Sequence, residues 1–150
     1  AGPGMTDLDA FCPQRTDLDC GVAVVAALCS VSYERAVEAL SLWREGTDTL
    51  LPSERPDPTQ HGNTTRELRR AVRALGVPSR CVYASSRYWT PVGEEDGALM
   101  ALDRNSDRGH WLAVVDGRIW CPLEGAWWTP SDYFGHYDAD PFSLVATRFR

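Results

Sequence analysis

Gln14-Arg15-Thr16-Asp17-Leu18-Asp19-Cys20-Gly21, running into Val22-Ala23-Val24-Val25-Ala26-Ala27-Leu28, is the stretch that decides the fold. A thiol stands at the last residue before a run of small apolar side chains. The run is apolar nearly all round, which predicts a buried central helix from about Cys20 to Ser30. Cys20 then lies at the helix N-terminus, where the dipole and the free first-turn N–H groups favour thiolate over thiol. Gln14, one loop upstream, is close enough to aim its side-chain NH2 at a developing oxyanion. A thiolate nucleophile needs a base. Gly109-His110-Trp111-Leu112-Ala113-Val114 offers one, a histidine at the start of an apolar strand. These residue types predict a cysteine-nucleophile hydrolase site.

Composition bounds the class. A chain of 150 residues holds one domain with a real core. Hydrophobic content of 43% with 24% charged residues is ordinary for a globular protein in water. The net charge of −6 gives nucleic-acid binding no electrostatic support, so no nucleic-acid partner is expected. Ala1-Gly2-Pro3-Gly4 ahead of Met5 reads as an expression scar, so residues 1–5 are set aside and residues 6–150 are taken as the single domain. No apolar run reaches the length of a membrane span and no signal peptide is visible. Cys12, Cys20, Cys29, Cys81 and Cys121 make an odd count without close pairing, which argues for a reducing, cytoplasmic setting and against a disulfide framework. There is no CxxC pair and no HExxH, so neither a metal site nor another cofactor is expected.

Along the chain, Cys29 reads as a small core residue. Ser32 caps a second helix, with Tyr33, Ala36, Val37 and Leu40 on its apolar face and Gly46 at its end. Residues Thr47 to Asn63, with Pro52, Pro56 and Pro58, read as a long surface loop in which His61 is solvated. Thr64 with Glu67 forms a capping box for a third helix. Leu68, Ala71, Val72 and Leu75 are its apolar stripe, and Gly76 is its stop. Arg66, Arg69, Arg70 and Arg73 line the opposite side and read as a solvated face. The period then changes. Arg80 to Ala84, Ala98 to Leu102, Trp111 to Val115, Arg118 to Trp120 and Phe142 to Phe149 read as strands, with Asp116-Gly117 as a hairpin turn. Helices first and antiparallel strands second is the α+β pattern. Trp127, Trp128, Tyr133, Phe134, His136 and Tyr137 read as a loop that either lines a substrate groove or covers the open side of the sheet, with the covering role favoured. His136 ranks behind His110 as a base because it does not sit at a strand start.

Cysteine, histidine and an orienting group must meet in space rather than in sequence. A helix N-terminus fixes the thiol and a strand start fixes His110, which is the layout of papain-like enzymes, with N-terminal helices packed on a C-terminal antiparallel sheet. The residues also resemble a family. Gln14, five intervening residues, then Asp19-Cys20-Gly21 and a small-residue helix is similar to the bacteriocin-processing (double-glycine leader) peptidases and their free-standing papain-like relatives. The Gly62-Asn63-Thr64-Thr65 lead-in to a helix, the Leu68 to Gly76 helix, and the Gly-His-aromatic strand before a tight hairpin are similar too, so that the likeness spans roughly Gln14 to Pro122.

What the resemblance implies is Cys20 as nucleophile, His110 as base and Gln14 in the oxyanion hole. The family carries an Asp or Asn, often followed by Pro, on the strand after the hairpin to orient the histidine; here the corresponding pair is Cys121-Pro122. Asp103, Asp107, Asp116 and Glu124 are other acids in reach by sequence. Asp19 places a charge that opposes thiolate formation at Cys20. A cysteine enzyme of this kind forms its thiolate–imidazolium pair before attack.

The expectation is therefore a papain-like hydrolase that cleaves a peptide or related amide bond, in a peptide or protein substrate, through an acyl-thioester at Cys20. A non-catalytic peptide-binding module on the same fold, with a degenerate third position, is one alternative. An acyltransferase, in which an amine resolves the thioester, is the other.

Overall fold

The computed structural model describes residues 11–42, 57–60, 62–84, 95–106 and 108–149. Residues 1–5, Gly46, most of the expected loop after Thr47, His61 and Asp107 lie outside these residues. The elements are α1 (Cys20–Cys29), α2 (Tyr33–Leu42), α3 (Thr65–Ala74), β1 (Arg80–Tyr83), β2 (Glu95–Asp103), β3 (Gly109–Val115), β4 (Arg118–Cys121), β5 (Ala126–Trp128), α4 (Pro130–His136) and β6 (Ala139–Phe149). The α+β class expected from the order of patterns is the class observed.

The helix α1 is buried from Cys20 through Ala27, as its all-round apolar sequence requires. Val22, Val24 and Val25 are fully buried, each contributing about 1.5–3 kcal/mol relative to exposure. The helix stops where Ser30 turns left-handed (φ 52°), and Val31 N–H reaches back to Ala26 O at 3.1 Å. Ser32 Oγ accepts from Arg35 N–H at the start of α2. Both arms of the Thr64–Glu67 capping box are present on α3.

The six strands form one antiparallel sheet in the order β1-β6-β2-β3-β4-β5. The central strands β2 and β3 are buried on both faces, which is why they read as continuous apolar runs rather than alternating ones. On one face, Ala98, Trp111, Ala113, Trp120 and Val145 pack against α1, α2 and α3. On the other, Leu99, Leu112, Val114, Ile119 and Leu144 pack with Tyr133 of α4. A buried Thr65–Ser143 hydroxyl pair at 2.9 Å pins α3 to β6. Asp116 and Gly117 both take positive φ (52° and 76°), the mirror-image turn that matches strand twist in a two-residue hairpin. That hairpin fixes the register Ala113↔Trp120 and so brings the far ends of β3 and β4 together.

The structure corrects the expected loop between the last two strands. It contains β5, which pairs with β4, and α4, a seven-residue helix with Thr129 as N-cap and Pro130 at its start. His136 is therefore the last residue of a helix, stacked on Trp128 at 5.3 Å between ring centroids. Trp128, Tyr133, Phe134 and Tyr137 cover the second face of the sheet, as expected, whereas Trp127 packs on the first face with Phe11. The last strand also begins earlier, at Ala139, because a register shift between Met100 and Ala101 accommodates Pro141. Among the described residues, no single helix is long and apolar enough to cross a membrane.

Candidate active site

Cys20 sits at the first turn of α1, 7% exposed. The Trp111 backbone N–H donates to its Sγ at 3.4 Å, so the helix start is docked on the first residues of β3. Close packing makes this possible. A Cβ on Gly21 would stand 2.9 Å from Asn63 Nδ2 and 3.2 Å from Trp111 Cδ1, so no larger residue fits there without displacing one of them. The Trp111 indole in turn donates to Asn63 O at 3.0 Å, tying the lead-in of α3 to the same junction.

Asp19 is fully buried, but its carboxylate turns away from the helix end. It accepts from Arg15 N–H at 2.9 Å, Thr16 N–H at 3.0 Å and the Tyr33 hydroxyl at 2.6 Å. The Arg15 guanidinium lies over the Tyr33 ring, 3.9 Å from its centroid. Asp19 thus shapes the loop that carries Gln14 and closes it against α2. Gln14 is anchored by its own backbone, with its N–H on Pro122 O at 2.9 Å. Its side-chain NH2 donates to Thr16 O at 2.7 Å, and its Oε1 is buried without a partner. One amide proton is committed to the loop and one is left.

His110 stands at the second position of β3, on the sheet face opposite α1. Its Nε2 is 3.6 Å from Cys121 Sγ on β4. Of the other acids, Asp103 accepts from Asn105 N–H and Ser106 Oγ, Glu124 accepts from the Trp128 indole, and Asp116 sits at the hairpin tip. Cys121 is the side chain beside the ring. Cys20, His110 and Cys121 line one cleft of about 570 Å³, with Tyr133 and Leu123 among its walls; Gln14 is not part of the lining.

The electrostatics depart from the expected ion pair. Burial pushes the Cys20 thiol up. The N–H groups of Trp111, Gly21 and Cys20 itself pull it down, and the Asp19 charge adds a smaller push upward. Burial wins over the helix terminus. Burial also pulls His110 down from 6.5 to about 4. The resting pair is therefore thiol and neutral imidazole, not thiolate and imidazolium. Cys121 is raised by burial as well and stays a thiol.

The lowered His110 has a consequence for stability. Its folded pKa lies below its unfolded value, so its contribution is complete above pH 6.5 and is lost as pH falls towards about 4, where the folded state also takes the proton. The expected loss across that window is roughly 1–3 kcal/mol. Urea titrations at intervals of pH measure it. In His110→Gln this component should vanish, and an unchanged profile would mean that the ring is solvated.

Sequence reasoning missed Trp111 as the residue that docks α1; of the aromatics weighed as a groove lining, Tyr133 and Tyr137 are the ones in the cleft wall. Trp111 was legible only as a core aromatic, and Tyr133 lay in a segment read as loop. Comparison with protein-family models and with curated proteins gives no match for this chain.

Proposed function

We propose that the chain is a papain-like cysteine hydrolase that cleaves a peptide or related amide bond, resembling in the layout of its site the bacteriocin-processing peptidases. The observation that carries this is the docking of Cys20 at the α1 N-terminus onto Trp111 N–H, one residue from His110, with both side chains in one cleft. His110 takes the thiol proton as Cys20 Sγ attacks the carbonyl carbon and the carbonyl π pair moves onto oxygen. Collapse expels the amine, which takes the proton back from His110. Water, deprotonated by the same ring, then opens the thioester and releases the acid. Because the resting pair is neutral, proton transfer accompanies attack, and the imidazolium has to be stabilised during the step itself. The same reading puts the protein in a reducing compartment, the cytoplasm, which keeps its free cysteines as thiols.

The test is covalent trapping with p-nitrophenyl acetate, followed by peptide mapping. An acetyl thioester on Cys20, absent in His110→Ala, is the expected result. Acetylation that follows thiol exposure, with Cys12 foremost, would refute the reading and favour a peptide-binding module.

The spacing of Gln14 from Cys20 and its spare amide proton support a role for it in the oxyanion site, although it is not part of the cleft lining. Gln14→Ala should lower the acylation rate about 10²-fold, the usual loss for one such donor, with little change in Tm. A large Tm loss with unchanged acylation would make Gln14 a brace of the loop alone.

A further inference from the structure

Tyr133 stands in the cleft with its ring locked and its hydroxyl unused. It is 3% exposed, packed edge-on to Trp128 and Phe134 and tilted against Tyr137 at 4.8 Å. It lines the same cleft as Cys20, His110 and Cys121. Among the described residues its hydroxyl has no hydrogen-bond partner, yet it is not sealed from solvent. A buried phenol ordinarily finds a partner. One held rigidly and left open towards a cleft is arranged for a polar atom of whatever binds there. Gln14 has one amide proton on Thr16 O and lies outside the lining, so a donor on the cleft wall would act alongside it.

We propose that Tyr133 is a catalytic residue of this site, its O–H donating a hydrogen bond to the carbonyl oxygen of the acyl group as Cys20 attacks. The proposal rests on Cys20 being the nucleophile. The S–C bond forms, the carbonyl π pair moves to oxygen, the thiol proton goes to His110, and the phenol proton stays on Tyr133. When the leaving group departs, the oxygen pair returns to carbon. Burial, reinforced by the Glu124 carboxylate, holds the phenol protonated above its ordinary range, so it donates without ionising.

Tyr133→Phe keeps the ring packing and removes only the hydroxyl. Two probes separate its roles. p-Nitrophenyl acetate acylates a thiol through a tetrahedral oxyanion, whereas iodoacetamide alkylates it by direct displacement with no oxyanion. The expected result is acylation of Cys20 slowed about 10-fold or more, read as p-nitrophenolate release in a single turnover, with the alkylation rate of Cys20 unchanged. Equal acylation rates in the two proteins overturn the proposal while Cys20 keeps its role. Parallel loss of acylation and alkylation also overturns it, since the hydroxyl then holds the shape of the site. No acyl group on Cys20 in the wild-type protein overturns both the proposal and the nucleophile assignment.

Discussion

Cys20→Ala is expected to remove amide hydrolysis and acyl-enzyme formation completely while the fold survives. The substitution deletes one sulfur from a site 7% exposed and leaves the rest of the α1 start in place. What it costs structurally is the acceptor for Trp111 N–H. A buried N–H left without a partner costs about 1–3 kcal/mol, towards the low end here because sulfur is a weak acceptor. A small fall in Tm with no measurable turnover is the predicted pair of readings. Of the other cysteines, exposed Cys12 and half-buried Cys29 and Cys81 lie outside the cleft lining, and Cys121, though in the cleft beside His110, is a buried thiol away from the α1 N-terminus. Undiminished turnover in this variant would sink the enzyme reading.

The second large effect is a gain. Cys121 Sγ lies 3.6 Å from His110 Nε2, where an orienting acid would stand. A thiol can donate or accept, so it supports either tautomer of the ring. If the thiol donates, Nε2 is the acceptor, the ring proton sits on Nδ1, and Nδ1 cannot take a proton from Cys20. On the proposed mechanism, with Nε2 on Cys121, the productive tautomer is the one that carries its proton on Nε2. A carboxylate accepts only, and would select that tautomer and stabilise the imidazolium that forms during attack. In serine triads loss of the acid's charge costs about 10⁴-fold. A neutral resting pair places this site closer to that case than a preformed ion pair would. Cys121→Asp should therefore raise the acylation rate by one or more orders of magnitude, about 10–10⁴-fold. It should also raise the His110 pKa from about 4, because a nearby carboxylate favours the charged ring. An NMR titration of His110 in both forms reads the shift. A ring that titrates identically in the two would remove Cys121 from the orienting position.

The helices and the central strands were legible because their signals are local. An all-round apolar run gave α1, the Thr64–Glu67 box gave α3, and Asp116-Gly117 gave the hairpin. The segment from Ala126 to His136 was not read correctly, although Thr129-Pro130 is a helix-start signal, because a strand of three residues and a helix of seven are too short to show a period. The nearness of Cys121 to His110 was expected only from the family resemblance; in the structure the hairpin register brings the two strand ends together. The charge state of the site did not follow. The sequence shows a thiol at a helix terminus, which lowers its pKa. It does not show how closely Trp111 and the Asn63 lead-in pack on the start of α1, where burial is the larger effect on the thiol.

The central claim is that Cys20 works through His110, and brief low-dose iodoacetamide at pH 6 tests it most directly. At that pH a thiol raised above its ordinary range has almost no free thiolate, so reaction at Cys20 has to pass through proton transfer to the neutral ring. Peptide mapping should find Cys20 labelled first among the five cysteines, and His110→Ala should abolish that preference without changing the rate at exposed Cys12. Labelling of Cys20 at the same rate with and without His110, or labelling that follows exposure alone, would contradict the account.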